Sequence, residues 1–316
     1  MNNSLSGMAP RDVIGKIFID MAYKNPDVVL VDADFGTASK IFDFKKHFPE
    51  RFVQVGIAEQ NMMGIAAGLS TVGLIPFVST VAVFCSRRAC DQVTISIALS
   101  HTNVKILGVY AGLFVGKNGA SHQSLEDIAI MRALPNMIVL QPADAIETEQ
   151  MLYFAAGHVG PVYIRIGRDP IKSYLPDNYK FQLGKSVTIK EGKDLTIFTY
   201  GDLVEETMDA SELLFKDGID ARVINMSSIK PIDEDAIVKA AKETGRIVTI
   251  DNHNIYGGLG SAVAEVVTEK YPVKVKRIGV KDLFGKTGSN DEMKTVFGLR
   301  AIDMKNDIID FLRHND

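Results

Sequence analysis

Apolar positions along the chain alternate between two spacings: the short runs of a buried strand and the three-and-four spacing of a helix. Residues 11–23 carry Val13, Ile14, Ile17, Phe18 and Met21 on one helical face, and residues 28–31 form an apolar run. A turn at 36–39 and a short helix over 41–48, stopped at Pro49, lead to a strand beginning at Phe52. The helix after that strand carries Gly64 and Gly68 one turn apart. Further strands are predicted at 74–78, 104–110, 137–140 and 161–166, with helices at 81–99, 126–131 and 143–156. Strands that alternate with helices give a mainly parallel sheet covered on both faces.

The polar, proline-containing stretch 174–193 breaks this alternation and reads as a linker, with one strand near 186–189. A second alternation follows, with strands at 195–200, 221–225, 246–250 and 273–278 and helices from 205, at 233–241, after Gly260 and at 303–312. The expected architecture is two doubly wound, mainly parallel α/β domains, 1–173 and 194–316, the second of about 125 residues, an ordinary domain size.

Composition narrows the function classes. The 316 residues are 46% hydrophobic, enough for two cores. A net charge of −4 offers no case for binding nucleic acid or an anionic membrane surface. No apolar run approaches a membrane span and no basic-then-apolar leader opens the chain, so a cytoplasmic location is expected. Cys85 and Cys90 fit neither a CxxC pair nor zinc-ligand spacing and read as reduced thiols.

Chemistry gathers where strands end. Glu59 stands at a strand-to-helix switch, the edge of an open α/β sheet at which ligands bind. Apolar surroundings favour a neutral carboxyl and a helix N-terminus favours the anion. The pattern leaves both open, and with them the simpler reading that Glu59 supports the first helical turn. His122 closes a glycine-rich loop at 111–122, where an imidazole moves a proton or simply faces solvent. Arg168 follows the 161–166 strand, on the same sheet edge as Glu59 and His122 if the strands are parallel; it suits capture of phosphate or carboxylate, or is a surface arginine. Phe84 either stacks on a heteroaromatic ring or packs into the core. The Gly257-Gly258-Leu259-Gly260 cluster reads as close packing at a helix start rather than as a dinucleotide turn. No Walker lysine, HExxH or GxSxG motif occurs, and Asp32 and Asp34 lack partners for a metal site.

The segments VGIAEQNMMGIAAGLS, RRACDQV, GASHQSLEDIAIMRALPNM, YIRIGRDP and NIYGGLGSAVAEVV, in this order, resemble the C-terminal half of transketolase across essentially the whole chain. The match is to the family's pyrimidine-binding domain (about 5–170) and its C-terminal domain (about 190–316). The resemblance implies thiamine diphosphate as cofactor. The family's GDG-to-Asn motif, which holds the diphosphate and its Mg2+ or Ca2+, is not in the sequence. A split enzyme follows, whose N-terminal-half partner subunit holds that group and assembles with this chain as a heterotetramer. By the same resemblance Glu59 hydrogen-bonds ring nitrogen N1′ of the cofactor's aminopyrimidine and Phe84 packs on that ring. Asp34 and Arg87 complete the cofactor contacts. His122 stands by the reacting sugar hydroxyls, and Arg11 and Arg168 grip the sugar phosphate. Tyr110 and Asn118 line the sugar site.

Four positions depart from the family pattern: Tyr110 replaces a common His, Phe114 a Ser, Lys117-Asn118 a Glu-Asp pair, and Val81 a frequent Phe. These changes point to a branched, deoxy or otherwise modified sugar phosphate. The function expected is transfer of a two-carbon ketol unit from a ketose phosphate to an aldose. The alternatives are a deoxyxylulose-phosphate-synthase-like or 2-oxo-acid carboligase subunit, or a non-catalytic assembly subunit.

Overall fold

The computed structural model describes residues 5–313. The first helix, α1 (Pro10–Lys24), starts on a proline, whose fixed φ suits the first turn. It buries Val13, Ile14, Ile17, Phe18 and Met21 against β1 (Val28–Asp32) and its neighbours. After α2 (Phe44–His47) and β2 (Phe52–Gln54), the chain enters α3 (Glu59–Thr71) and β3 (Ile75–Val81). β3 runs on through Val81, which pairs with Val109 and is buried, so the helix expected from 81 starts later. That helix is not uniform: π-helical turns at Phe84–Arg88 and Val93–Leu99 flank α4 (Cys90–Gln92).

β4 (Lys105–Val109), α5 (Asp127–Ala133), β5 (Ile138–Leu140), α6 (Ala145–Gly157) and β6 (Val162–Ile166) complete the first alternation. β7 (Val187–Lys190), β8 (Leu195–Thr199), α7 (Val204–Lys216), β9 (Ala221–Asn225), β10 (Ser228–Lys230), α8 (Glu234–Thr244), β11 (Arg246–Asn254), α9 (Leu259–Lys270), β12 (Lys274–Val280), α10 (Asn290–Val296) and α11 (Ala301–Arg313) follow. The strand expected inside the linker is β7.

Two mixed, mainly parallel sheets result, in the orders β10-β5-β6-β4-β3-β1-β2 and β12-β11-β8-β9-β7. Each has one antiparallel edge, β10 on β5 and β7 on β9. The sequence pattern did not reveal β10: a strand of the second half of the chain closes the first sheet. The two halves also share a core. Leu113, Phe114 and Leu125, from the loop after β4, pack with Leu203, Ile250, Met293 and Leu299. The glycine cluster before α9 does pack closely, since a Cβ on Gly258 would stand 2.3 Å from Asp251 Oδ2.

Candidate active site

Because β1, β3, β4 and β6 are parallel, the loops after them open on one edge of the sheet. Glu59 is the first residue of α3 and only 3% exposed. Its side chain caps nothing, and the N-cap Ala58 has no side-chain cap either. Instead Glu59 Oε1 accepts a 2.8 Å hydrogen bond from Arg88 Nη1. The Arg88 guanidinium also lies over the Phe84 ring, its Cζ 4.0 Å from the centroid. Phe84 is half-buried, and His122 meets it edge-to-face with the ring centroids 5.1 Å apart. A buried carboxyl, an aromatic ring and an imidazole thus come together, carried by α3, the π-helical turn and the glycine-rich loop.

That loop owes its position to the second half of the chain. Leu113 N–H donates to Asn252 Oδ1 (2.9 Å), Gly116 N–H to Asn290 Oδ1 (3.0 Å), and Gln123 Nε2 to the Lys286 carbonyl (3.0 Å). Below it, Arg165 on β6 is wholly buried. It donates to Asp127 (2.9 Å), Gln141 (2.8 Å) and the carbonyls of Ser124 (3.0 Å) and Asn252 (2.8 Å). Asp127, which also accepts from Tyr163 OH at 2.6 Å, is held below the usual carboxylate range by Arg165 despite its burial.

A second cluster forms around Tyr110, whose φ of +58° lies in the left-handed region. Its hydroxyl accepts from Arg11 Nη1 at 2.7 Å, and the Arg11 and Arg168 guanidinium carbons lie 5.3 and 5.0 Å from its ring centroid. Arg168 is further fixed by a 2.7 Å hydrogen bond to the Val115 carbonyl. Gly116 leaves room for it: φ is +66°, and a Cβ would stand 2.6 Å from Arg168 Nη1. Two guanidinium groups meet on one tyrosine, and guanidinium is a side chain suited to bidentate capture of carboxylate or phosphate.

The other expected residues make separate local contacts. Asp34, at φ +61°, is exposed after β1, and its N–H donates to Gln54 Oε1 at 3.0 Å. Gln54 also accepts from Gly56 N–H and donates to Asp32, tying the ends of β1 and β2 together. Asp32 is buried, and desolvation raises its carboxyl above the ordinary range. Arg87 turns toward Glu126 (2.9 Å) and lines a cavity of about 320 Å³ with Gln123, Asn254 and Phe284. Asn118 is exposed on a 3-10 turn. Phe114, at 4% exposure, packs in the core shared by the two halves of the chain. Sequence reasoning missed Arg88 as Glu59's partner. Spacing after Phe84 offered no signal to single it out, because Arg87 at three residues and Arg88 at four both share a helical face with that ring.

Residues 6–172 match the family model described as transketolase, pyrimidine binding domain, and residues 184–304 match that of the transketolase C-terminal domain. The chain belongs to the transketolase family. This transketolase chain is 42% identical over 291 residues to the 6-deoxy-6-sulfo-D-fructose transketolase subunit SqwH of a Clostridium species, covering 92% of this chain and 90% of the relative. It is 42% identical over 282 residues to an apulose-4-phosphate transketolase subunit of Phocaeicola vulgatus, covering 89% and 90%. A solved structure described as the inactive β4 tetramer of a split-gene transketolase superposes with a TM-score of 0.87 at 44% identity, over 96% of this chain and 98% of that one. The two family domains correspond to the two α/β sheets.

The transketolase family implies thiamine diphosphate dependence. A buried carboxyl and an aromatic ring, joined here through Arg88, are groups of the kind that can bond the edge and cover the face of an aminopyrimidine. Among the described residues no group of three or more His, Cys, Asp or Glu is placed to hold a metal ion. Among them too, no helix is long and apolar enough to cross a membrane.

Proposed function

We propose that this chain is the pyrimidine-side subunit of a two-chain, thiamine-diphosphate-dependent transketolase. It moves a two-carbon ketol unit from a ketose phosphate to an aldose. The observation that carries this reading is Glu59: a carboxyl buried at the first turn of α3 and joined through Arg88 to half-buried Phe84, which His122 meets edge-to-face. Thiamine diphosphate, when bound, supplies the nucleophilic carbon and the electron sink. Glu59 holds the proton at the pyrimidine ring nitrogen, Phe84 packs on the ring, and Asp34 and Arg87 border the cofactor. His122 orients and exchanges protons with sugar hydroxyls. Arg11 and Arg168 bind the terminal anion of the sugar, with Tyr110 between them and Asn118 at the rim.

The partner is an N-terminal-half transketolase subunit that holds the diphosphate and Mg2+ or Ca2+, and two copies of each chain form the assembly. Two relatives whose names carry a sulfo-sugar and an apulose phosphate support a non-standard donor, in keeping with Tyr110 in place of His. Free Cys85 and Cys90 agree with work in the reducing cytoplasm. Calorimetry tests the division of labour. The chain alone, with Mg2+ and thiamine diphosphate, is expected to show no tight site, and adding the partner is expected to create one. Submicromolar affinity in the chain alone overturns the two-chain reading.

A further inference from the structure

Arg88 lies where the proposed function seats the aminopyrimidine. Its guanidinium is planar and edged with N–H donors, as the protonated edge of an aminopyrimidine is. It offers one of those donors to Glu59 Oε1 at 2.8 Å and sets its plane carbon 4.0 Å from the Phe84 centroid. The carboxylate and the ring are the two groups the proposed pyrimidine contact uses, and Arg88 engages both. The backbone of Arg88 is anchored, since its carbonyl accepts from Gln60 Nε2 at 3.1 Å. The side chain is 46% exposed, so it can leave toward solvent without disturbing a core. Its neighbour Arg87 is committed to Glu126. Arg88 is also what pairs the otherwise buried Glu59, because a carboxylate left alone at such a site is costly.

We propose, on the strength of the function assigned above, that Arg88 is the placeholder of the pyrimidine seat. In the partner-free chain it satisfies Glu59 and covers Phe84, and it swings out when the cofactor arrives with the partner subunit. The chain is thereby kept folded and unresponsive to free thiamine compounds until it assembles. Apparent affinity falls by the fraction of chains whose seat is open, and removing the placeholder restores it.

The test uses the chain alone and 4-amino-5-hydroxymethyl-2-methylpyrimidine as probe, read by ligand-observed NMR titration beside a melting curve. Arg88→Ala is expected to bind the probe at least tenfold more tightly than wild type, with a lowered Tm. Arg88→Lys, which keeps the charge but loses the planar fork, gains less and serves if the alanine variant does not fold. Glu59→Gln in the Arg88→Ala background is expected to remove the gain. Equal or weaker probe binding in folded Arg88 variants overturns the placeholder. If the wild-type two-chain enzyme still binds thiamine diphosphate, that failure leaves the proposed function standing. If it binds none, both ideas fall together.

Discussion

Arg165 and Asp127 are both fully buried and joined by a 2.9 Å ion pair beneath the glycine-rich loop. Two further Arg165 bonds reach the backbone of Ser124 and Asn252, so one guanidinium ties the loop to both halves of the chain. Removing one member leaves an uncompensated buried charge. Arg165→Met and Asp127→Asn are each expected to cost about 3–5 kcal/mol in urea unfolding. The double variant is expected to cost clearly less than the sum, because the two share one interaction. Strict additivity speaks against the pair as a unit.

Arg168 is held against Tyr110 by Val115 and by the opening at Gly116. Arg168→Ala is expected to reduce kcat/KM for a phosphorylated donor by about 1.5–3 kcal/mol, roughly ten- to a hundredfold. The unphosphorylated analogue is expected to lose little. Equal losses for both donors assign Arg168 a structural role.

Tyr110 and Phe114 both depart from the family pattern, yet the structure separates them. Tyr110 faces the two arginines, whereas Phe114 is buried between the two halves. Tyr110→His with Asn118→Asp is expected to raise the rate with xylulose 5-phosphate relative to the native donor. Phe114→Ser is expected to cost about 3–5 kcal/mol of stability, as large-to-small core changes do, with donor preference unchanged. A change of preference in Phe114→Ser at full stability returns that residue to the sugar site.

Asp202 lies against the Gly167 backbone, where a Cβ on Gly167 would stand 2.0 Å from Asp202 Oδ1. Desolvation pushes its carboxyl up to about 6, with Asp169 adding to the effect and Arg165 opposing it. The folded value lies above the ordinary 3.8, so the neutral acid favours the fold. Its contribution is complete below about pH 4 and is lost as pH rises through about 6. Asp202→Asn, which stays neutral, is expected to gain on wild type by roughly 2–3 kcal/mol between pH 4 and pH 7. Denaturation across that range checks the sign, and a constant difference contradicts it.

Much of this fold was legible because buried strands and amphipathic helices carry their own periods. The runs 28–31 and 161–166, and the helical face of residues 11–23, each became the element expected. β10 escaped because Ser228-Ile229-Lys230 is too short and too polar to show alternation, and it exists through its pairing with β5. The helix from 81 was drawn too early because Val81 is equally apolar on a strand, and its pairing with Val109 decides the matter. At the site, the strand ends pointed to Glu59, His122 and Arg168. The sequence could not say which of the adjacent Arg87 and Arg88 would turn to Glu59, since that depends on the π-helical turn carrying them.

If Glu59 governs protonation at the pyrimidine ring, as proposed, the decisive variant is Glu59→Gln in the assembled two-chain enzyme. The variant keeps size and packing, and is expected to assemble and bind thiamine diphosphate as wild type does. Deuterium exchange at the cofactor's C2 position, followed by NMR, is expected to slow by at least about two orders of magnitude, the scale of a positioned proton transfer. A residue that only supports a helix start would instead cost about 1 kcal/mol of stability, the scale of a lost cap, and leave exchange untouched. Near-wild-type exchange in the assembled Glu59→Gln enzyme removes Glu59 from the proposed chemistry.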